Sequence, residues 1–316
     1  MQLLHELTVP SPAPSQRIDV FLSTKLRKYS RNKIQNLIEK NAVLVNGKST
    51  KADYKINALD HIEVFAAYQQ FNEKVTPEDI PLEIIFEDDA IIVINKSPGM
   101  PVHKGLGNFR GTLINALAFH FLNSGLSIPI EEGSVHRLDS GTSGLIVYAK
   151  TRIAKQHLEQ QMKNQQVHRV YQALVYGIMA NESGVIDVPI GRNPENPMII
   201  QAFPLRDEGK EAITHYRVVE RYSLATLVEC TLETGRTHQI RIHMQYFGHA
   251  LLGDPRYPGA FGFKEIKTIL EELNVSHQLL HAKQLRFIHP TTQEECMFEA
   301  PLPAVFQKVI NNLVKA

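Results

Sequence analysis

The chain has 316 residues, 43% of them hydrophobic and 21% charged, with 34 lysines and arginines against 33 aspartates and glutamates. This is the composition of an ordinary soluble globular protein with room for two or three domains. Its two cysteines, Cys230 and Cys296, exclude a disulfide framework and the Pro-Cys-x-x-Cys pair of the zinc deaminases, and they fit a reducing cytoplasm. No apolar run reaches the ~18 residues of a membrane span, and the start Met-Gln-Leu-Leu-His-Glu does not read as a secretory signal.

Residues 1–14 end in Pro10-Ser-Pro-Ala-Pro14, which forbids a helix and predicts an extended lead-in. Residues 15–65 form a small module. Ile18, Phe21, Leu22 and Leu26 fall on one helical face, and Ser30 can cap a second helix carrying Ile34, Leu37 and Ile38. Val43-Leu-Val-Asn46-Gly47-Lys48 is a hairpin signal, because both central positions of a type I′ turn need positive φ; a second strand covers Ile62 to Phe65. Between Arg17 and Lys55 there are ten basic residues and three acidic ones, a sharp asymmetry in a chain of net charge +1. Such an excess is either a solvated helix face or a surface that contacts several phosphates. Residues 66–80 read as a linker.

The main domain begins near Pro81. Strands are expected at Leu82 to Phe86 and Ile91 to Ile94, then the turn Lys96-Ser97-Pro98-Gly99-Met100-Pro101 and a helix over Thr112 to Phe121. The stretch from His136 to Lys150 joins a loop, Asp139-Ser-Gly-Thr-Ser-Gly144, to an apolar strand, Leu145 to Tyr148. Two glycines and three hydroxyls let backbone come close to a ligand and supply donors. Asp139 stands two residues from Arg137. An aspartate beside a cation stays ionised and suits a nucleophile, yet the same pattern also describes a surface ion pair beside a turn.

Thr151 is placed to cap a helix with Ala154, Leu158 and Met162 on one face. His168 to Gly177 is an alternating strand, in which Tyr171 reads first as a half-buried aromatic. Residues 181–210 read as loops and short hairpins, followed by strands at Ala212 to Val219 and Ala225 to Leu232. Alternation between 166 and 245 predicts an antiparallel sheet. In Thr234-Gly-Arg236-Thr-His238-Gln239-Ile-Arg241-Ile-His243, cations, imidazoles and an amide alternate with apolar residues, suited to phosphates or base edges. A metal at His238 and His243 fits poorly, since a spacing of five matches no common face and no carboxylate or thiol joins them.

Taken together these strings resemble a known family. His136-Arg137-Leu-Asp139, Thr142-Ser143-Gly-Leu and Ala149-Lys150 resemble the signature of the RluA-type pseudouridine synthases. The other matches are Lys96 to His103 (with Ser97 where the family has proline), the 234–244 stretch, Gly248 to Asp254 (with Ala250 for proline), His281-Ala282 with Phe287 to Pro290, and Ala300-Pro-Leu-Pro303. The pattern Arg17-Ile-Asp-x-Phe-Leu, Ser30-Arg-x-x-Ile-Gln-x-Leu-Ile and Val43-x-Val-Asn-Gly-Lys resembles the S4 RNA-binding module. The whole resembles the large-subunit ribosomal RNA enzymes of the C/D type.

The resemblance implies an α+β catalytic domain over 81–316, with a mixed, mainly antiparallel central sheet and flanking helices, behind an S4-like module. It implies a cofactor-free isomerase of uridine in RNA. Asp139 would be nucleophile or base, Tyr171 a candidate base stacked near the target, and Arg241 the partner of Asp139, with Arg236 on phosphate or the two arginines reversed. Arg137, His136, Thr142, Ser143, His238 and Gln239 would bind substrate. Lys25, Arg27, Lys28, Arg31, Lys33, Lys48 and Lys51 would contact RNA through the S4-like module. The expected partner is ribosomal RNA or a pre-ribosomal particle, with no metal, no membrane and a monomeric chain. The alternatives are a non-catalytic ribosome-assembly factor and the same activity on tRNA. No Gly-x-Gly-x-x-Gly or Gly-x-x-x-x-Gly-Lys motif occurs, which agrees with cofactor-free chemistry.

Overall fold

A computed structural model describes residues 3–13, 15–26, 29–39, 41–65, 75–103, 110–122, 126, 128–196, 199–206, 208–259 and 263–315, with Lys33 described by its backbone only. The chain divides into two units, Met1–Lys74 and Val75–Ala316.

The first unit holds β1 (Leu3–Thr8), α1 (Ile18–Lys25), α2 (Arg31–Glu39), β2 (Val43–Val45), β3 (Lys48–Ser49) and β4 (His61–Phe65). The strands form one antiparallel sheet in the order β1-β4-β2-β3. Its core joins the predicted helix face (Ile18, Phe21, Leu22, Ile34, Leu37, Ile38) to Val43, Val45, Ile62 and Val64. Asn46 and Gly47 take φ of 50° and 74°, as the hairpin turn requires. Within the stretch expected to be extended, Leu3–Thr8 pairs with β4 along its length and is an edge strand of this unit. That pairing depends on a partner more than fifty residues away, which prolines at 10–14 do not reveal. The buried carboxylate of Asp19 in α1 accepts from Arg17, from Arg31 Nε at 3.0 Å and from Gln35 Nε2, and these bonds hold it below its usual range against burial.

The second unit holds β5 (Glu83–Glu87), β6 (Ile91–Lys96), α3 (Leu113–His120), β7 (Ser143–Ala149), α4 (Arg152–Lys163), β8 (His168–Tyr176), β9 (Ser183–Asp187), β10 (Ile190–Arg192), β11 (Ile200–Ala202), β12 (Ile213–Arg221), β13 (Ala225–Leu232), α5 (Gln239–Tyr246), α6 (Lys264–Glu272), β14 (Leu280–Ile288), β15 (Glu295–Glu299) and α7 (Ala304–Asn312). Nine strands form one mixed sheet, β5-β6-β7-β14-β8-β13-β12-β9, with β15 on β14; β10 and β11 make a separate hairpin. Every ladder is antiparallel except β7 with β14. Gly144, at φ 107°, lies where a Cβ would strike the Ala282 backbone, so this parallel contact requires glycine.

Alternation along each strand sends residues to opposite faces. Ile92, Ile94, Ile146, Tyr171, Ala173 and Cys230 pack with Leu113, Leu117, Ile240 and Met244 of α3 and α5. On the other face Ile91, Val93, Leu145 and Val147 pack with Ala154 and Leu158 of α4, while Leu174 and Leu227 pack with α6 and α7. Thr151 caps α4 with its side-chain oxygen, as predicted, and Thr112 does the same for α3.

Two further expectations change. Residues 239–246 are a helix, not a continuation of the alternating strands. Val75 is buried in the main core, so the second unit begins before Pro81; residues 66–74 of the expected linker lie outside the described residues.

Candidate active site

The site is built where the loop before β7 meets the N-terminus of α5. Asp139 is half-buried between buried Leu138 and exposed Ser140, with its side chain 16% accessible. Its loop closes on itself through Thr142 N–H donating to Asp139 O at 3.0 Å. Arg241 Nη1 donates to Asp139 Oδ2 at 3.0 Å. The same guanidinium grips Asp254 in bidentate fashion, Nε to Oδ2 at 2.7 Å and Nη2 to Oδ1 at 2.8 Å. Asp254 is fully buried and also accepts from the backbone N–H groups of Arg256 and Tyr257. Burial works against the Arg241 charge, but the Asp254 bonds and charge, with Asp139 behind them, hold the guanidinium above its usual range.

Arg241 lies in the first turn of α5, where the helix dipole repels a cation and where no acidic residue occurs. The two carboxylates offset that repulsion from outside the helix. The helix starts at His238, a non-glycine residue at φ 59°. Its Nε2 stands 3.8 Å from Asp139 Oδ2, and its Nδ1 is 2.8 Å from the Tyr257 hydroxyl. Burial, reinforced by Arg241 and Arg256, keeps this imidazole below its usual range although Asp139 pulls the other way. Tyr257 has its ring 5.0 Å from the Arg241 guanidinium carbon and its phenol pushed up to about 12 by burial.

A small pocket of about 60 Å³ is lined by Arg137, Asp139, Thr142, Tyr171, Arg236, His238, Gln239 and Arg241 among others. It adjoins a cleft of about 320 Å³ through Arg137, Asp139, Tyr171, Leu232 and Arg236, which line both. Residues from four separate parts of the chain therefore converge. Of the two arginines that the sequence leaves open, Arg241 meets Asp139; Arg236 is exposed and its Nε donates to Glu211 O at 2.8 Å. Tyr171 is buried, and burial pushes its phenol above the usual range, away from what a general base requires. Arg137 is exposed at the mouth.

Other predicted residues support the site through the protein itself. Gln239 spends its amide on Thr234, the Arg236 backbone, Ile213 O and Thr214. Ser143 meets His281 Nδ1 at 2.9 Å and lies outside the pocket. Both therefore brace the scaffold, Gln239 while lining the pocket and Ser143 from outside it. Thr142 accepts from Gln278 Nε2 while still lining the pocket. His136 lines the cleft; its Nε2 accepts from Val147 N–H, and burial brings it down to about 3, so it is neutral near pH 7. His243 is buried between Thr214 and Val188 O, which accounts for it without a metal. Among the described residues no group of three or more His, Cys, Asp or Glu assembles as a ligand set. Of the predicted RNA contacts, Lys25, Lys48 and Lys51 are exposed and Arg31 is tied to Asp19; Arg27, Lys28 and the Lys33 side chain lie outside the described residues.

Sequence reading missed Lys96, Asp254, Tyr257 and Arg169. Lys96 is fully buried, and its Nζ donates to Ser97 O, Met100 O and Ser140 O, strapping the 96–101 turn to the Asp139 loop. Burial pushes this amine down to about 7, while Asp139 and the three carbonyls favour the ammonium. A lysine closing the apolar strand Ile91 to Ile94 was the available signal.

Residues 90–246 match the family model described as RNA pseudouridylate synthase, and residues 16–62 match the S4 domain. The chain is 43% identical to an uncharacterized RNA pseudouridine synthase of Chlorobaculum parvum, over 97% of both chains. The chain belongs to the RNA pseudouridine synthase family. The synthase is thus an isomerase with an N-terminal S4 domain. It is also 37% identical to ribosomal large subunit pseudouridine synthase D of Xanthomonas campestris, over 98% of this chain and 92% of that one. Its fold is similar to that of human RNA pseudouridylate synthase domain containing 1, with a TM-score of 0.59 at 23% identity over 76% of this chain and 90% of that one. The fold is α+β with a mainly antiparallel sheet. Among the described residues no helix is long and apolar enough to cross a membrane.

Proposed function

We propose that the synthase isomerises specific uridines of large-subunit ribosomal RNA, with Asp139 as the reacting carboxylate. The observation that carries this reading is the Asp139 carboxylate held 3.0 Å from Arg241 Nη1 in a pocket shared with Arg137 and Tyr171. Relatives at 37% and 40% identity, each called ribosomal large subunit pseudouridine synthase D, support the substrate class.

The reaction breaks N1–C1′, turns the base and rejoins it through C5. The target leaves its stack at a cost on the order of a few kcal/mol. The planar guanidinium of exposed Arg137 takes the vacated space. Asp139 attacks C1′ or removes the C2′ proton, and in either role its carboxylate is held in place by the neighbouring guanidinium. Rejoining regenerates the carboxylate, which is then free to take the C5 proton. Tyr171, with its raised phenol, serves as the platform under the base.

Pseudouridine mapping by carbodiimide and primer extension tests this. Cells lacking the gene lose one or more stops in large-subunit ribosomal RNA. Losses confined to tRNA would redirect the substrate, and no loss in any RNA would leave a non-catalytic RNA-binding factor.

The S4 domain supplies sequence-independent affinity. Replacing Lys25, Lys48 and Lys51 by glutamine together flattens the salt dependence of RNA binding, by roughly 0.7 to 0.9 in slope for each lysine on a phosphate. Filter binding across a potassium chloride series measures it, and an unchanged slope would place RNA elsewhere on this unit.

A further inference from the structure

The cleft beside the pocket holds a charge that nothing in the proposed chemistry uses. Arg169 stands two residues before Tyr171 on β8, so both side chains lie on the same face of the sheet. It lines the cleft with Arg137 and Arg236. Its Nε is buried with no hydrogen-bond partner among the described residues. The cleft also carries the buried Nδ1 of His136, likewise without a partner; with Nε2 accepting from Val147, this neutral ring has its proton on Nδ1. The side chains of Arg137, Arg169, Arg236 and His136 thus line one space with Asp139 and Glu233, and Arg169 and His136 each hold one buried, unmet donor. Asp139 is answered by Arg241, and Glu233 by His215 at 2.5 Å.

Gly235 makes room for this arrangement. A Cβ there would come within 3.1 Å of Arg169 Nη1, so only glycine lets the guanidinium lie against that backbone undisturbed. A buried donor left unmet is destabilising and calls for an explanation, and a ligand that supplies the acceptor is one. A phosphodiester presents several anionic acceptors to an arginine fork, and the adjoining pocket is where the uridine would sit.

We infer that Arg169, with Arg236, binds an RNA phosphate next to the target uridine, the guanidinium turning so that Nε and an Nη group donate together. The inference rests on the proposed seating of uridine at Asp139. Its test reads binding and not turnover, so either can fail while the other stands.

The probe is a fluorescent single-stranded oligouridylate, titrated against the full-length protein over a potassium chloride series. Arg169→Gln weakens binding about tenfold and reduces the salt slope by roughly 0.7, the loss of one phosphate contact. Arg169→Lys keeps the slope and loses affinity, because an ammonium retains the charge but not the fork. Gly235→Ala also keeps the slope and loses affinity by displacing the guanidinium. An unchanged slope in Arg169→Gln, or an equal loss of slope in Arg169→Lys, overturns the inference. Should Arg169→Gln fail to fold, the other two variants decide: wild-type affinity in both overturns it.

Discussion

Asp139→Asn abolishes isomerisation while the protein still folds and binds RNA. The amide is nearly isosteric with the carboxylate, and its Oδ1 can accept from Arg241 Nη1 as the carboxylate does now at 3.0 Å. Arg241 keeps its bidentate grip on Asp254, so no buried cation is left alone. What disappears is the negative charge and the nucleophilic or basic lone pair. Removing a group of that kind costs roughly four orders of magnitude or more in rate. Single-turnover tritium release from RNA tritiated at uridine C5 measures the loss, and RNA titration measures the binding. Turnover within tenfold of wild type would remove Asp139 from the reaction.

The second large effect is expected at Asp254, which touches no substrate in this reading. Asp254→Ala strips two hydrogen bonds from Arg241 and the acceptor from two backbone N–H groups. A cation then remains in the first turn of α5, buried and opposed by the helix dipole, with only Asp139 to answer it. Removing one partner of a buried pair costs about 3–5 kcal/mol. In a unit of this size each kcal/mol lowers Tm by roughly 2–4 °C. Below the melting range, kcat falls further than RNA affinity, because the guanidinium that orients Asp139 loses its anchor. Asp254→Asn keeps one acceptor and lies between the two. Thermal melting with a kcat-against-KM comparison checks this. A wild-type kcat in folded Asp254→Ala would mean that Arg241 is oriented without it.

Local order was legible along the chain because its causes are local. Asn46-Gly47 set a turn through backbone sterics, and Thr112 and Thr151 capped the helices that follow them. Period-two runs became β8, β12 and β13, and the charge between Arg17 and Lys55 marked an RNA-binding module that the S4 match bears out. The alternating look of 234–244 misled, since hydrophobic residues at 240, 242 and 244 suit a strand. The segment folds as a helix whose polar side meets Asp139, Asp254 and Tyr257.

By itself the sequence determined many of the turns, caps and period-two strands, where basic charge gathers, and which strings resemble a pseudouridine synthase. Only the tertiary structure decided that Arg241 and not Arg236 reaches Asp139, 102 residues away, and that Gln239 and Ser143 bond to the scaffold. It alone brought Lys96, Asp254 and Arg169 to the site. The reason is physical: a turn or a cap depends on neighbours a few residues off, whereas an ion pair or an unmet donor depends on which distant segments the sheet order places side by side.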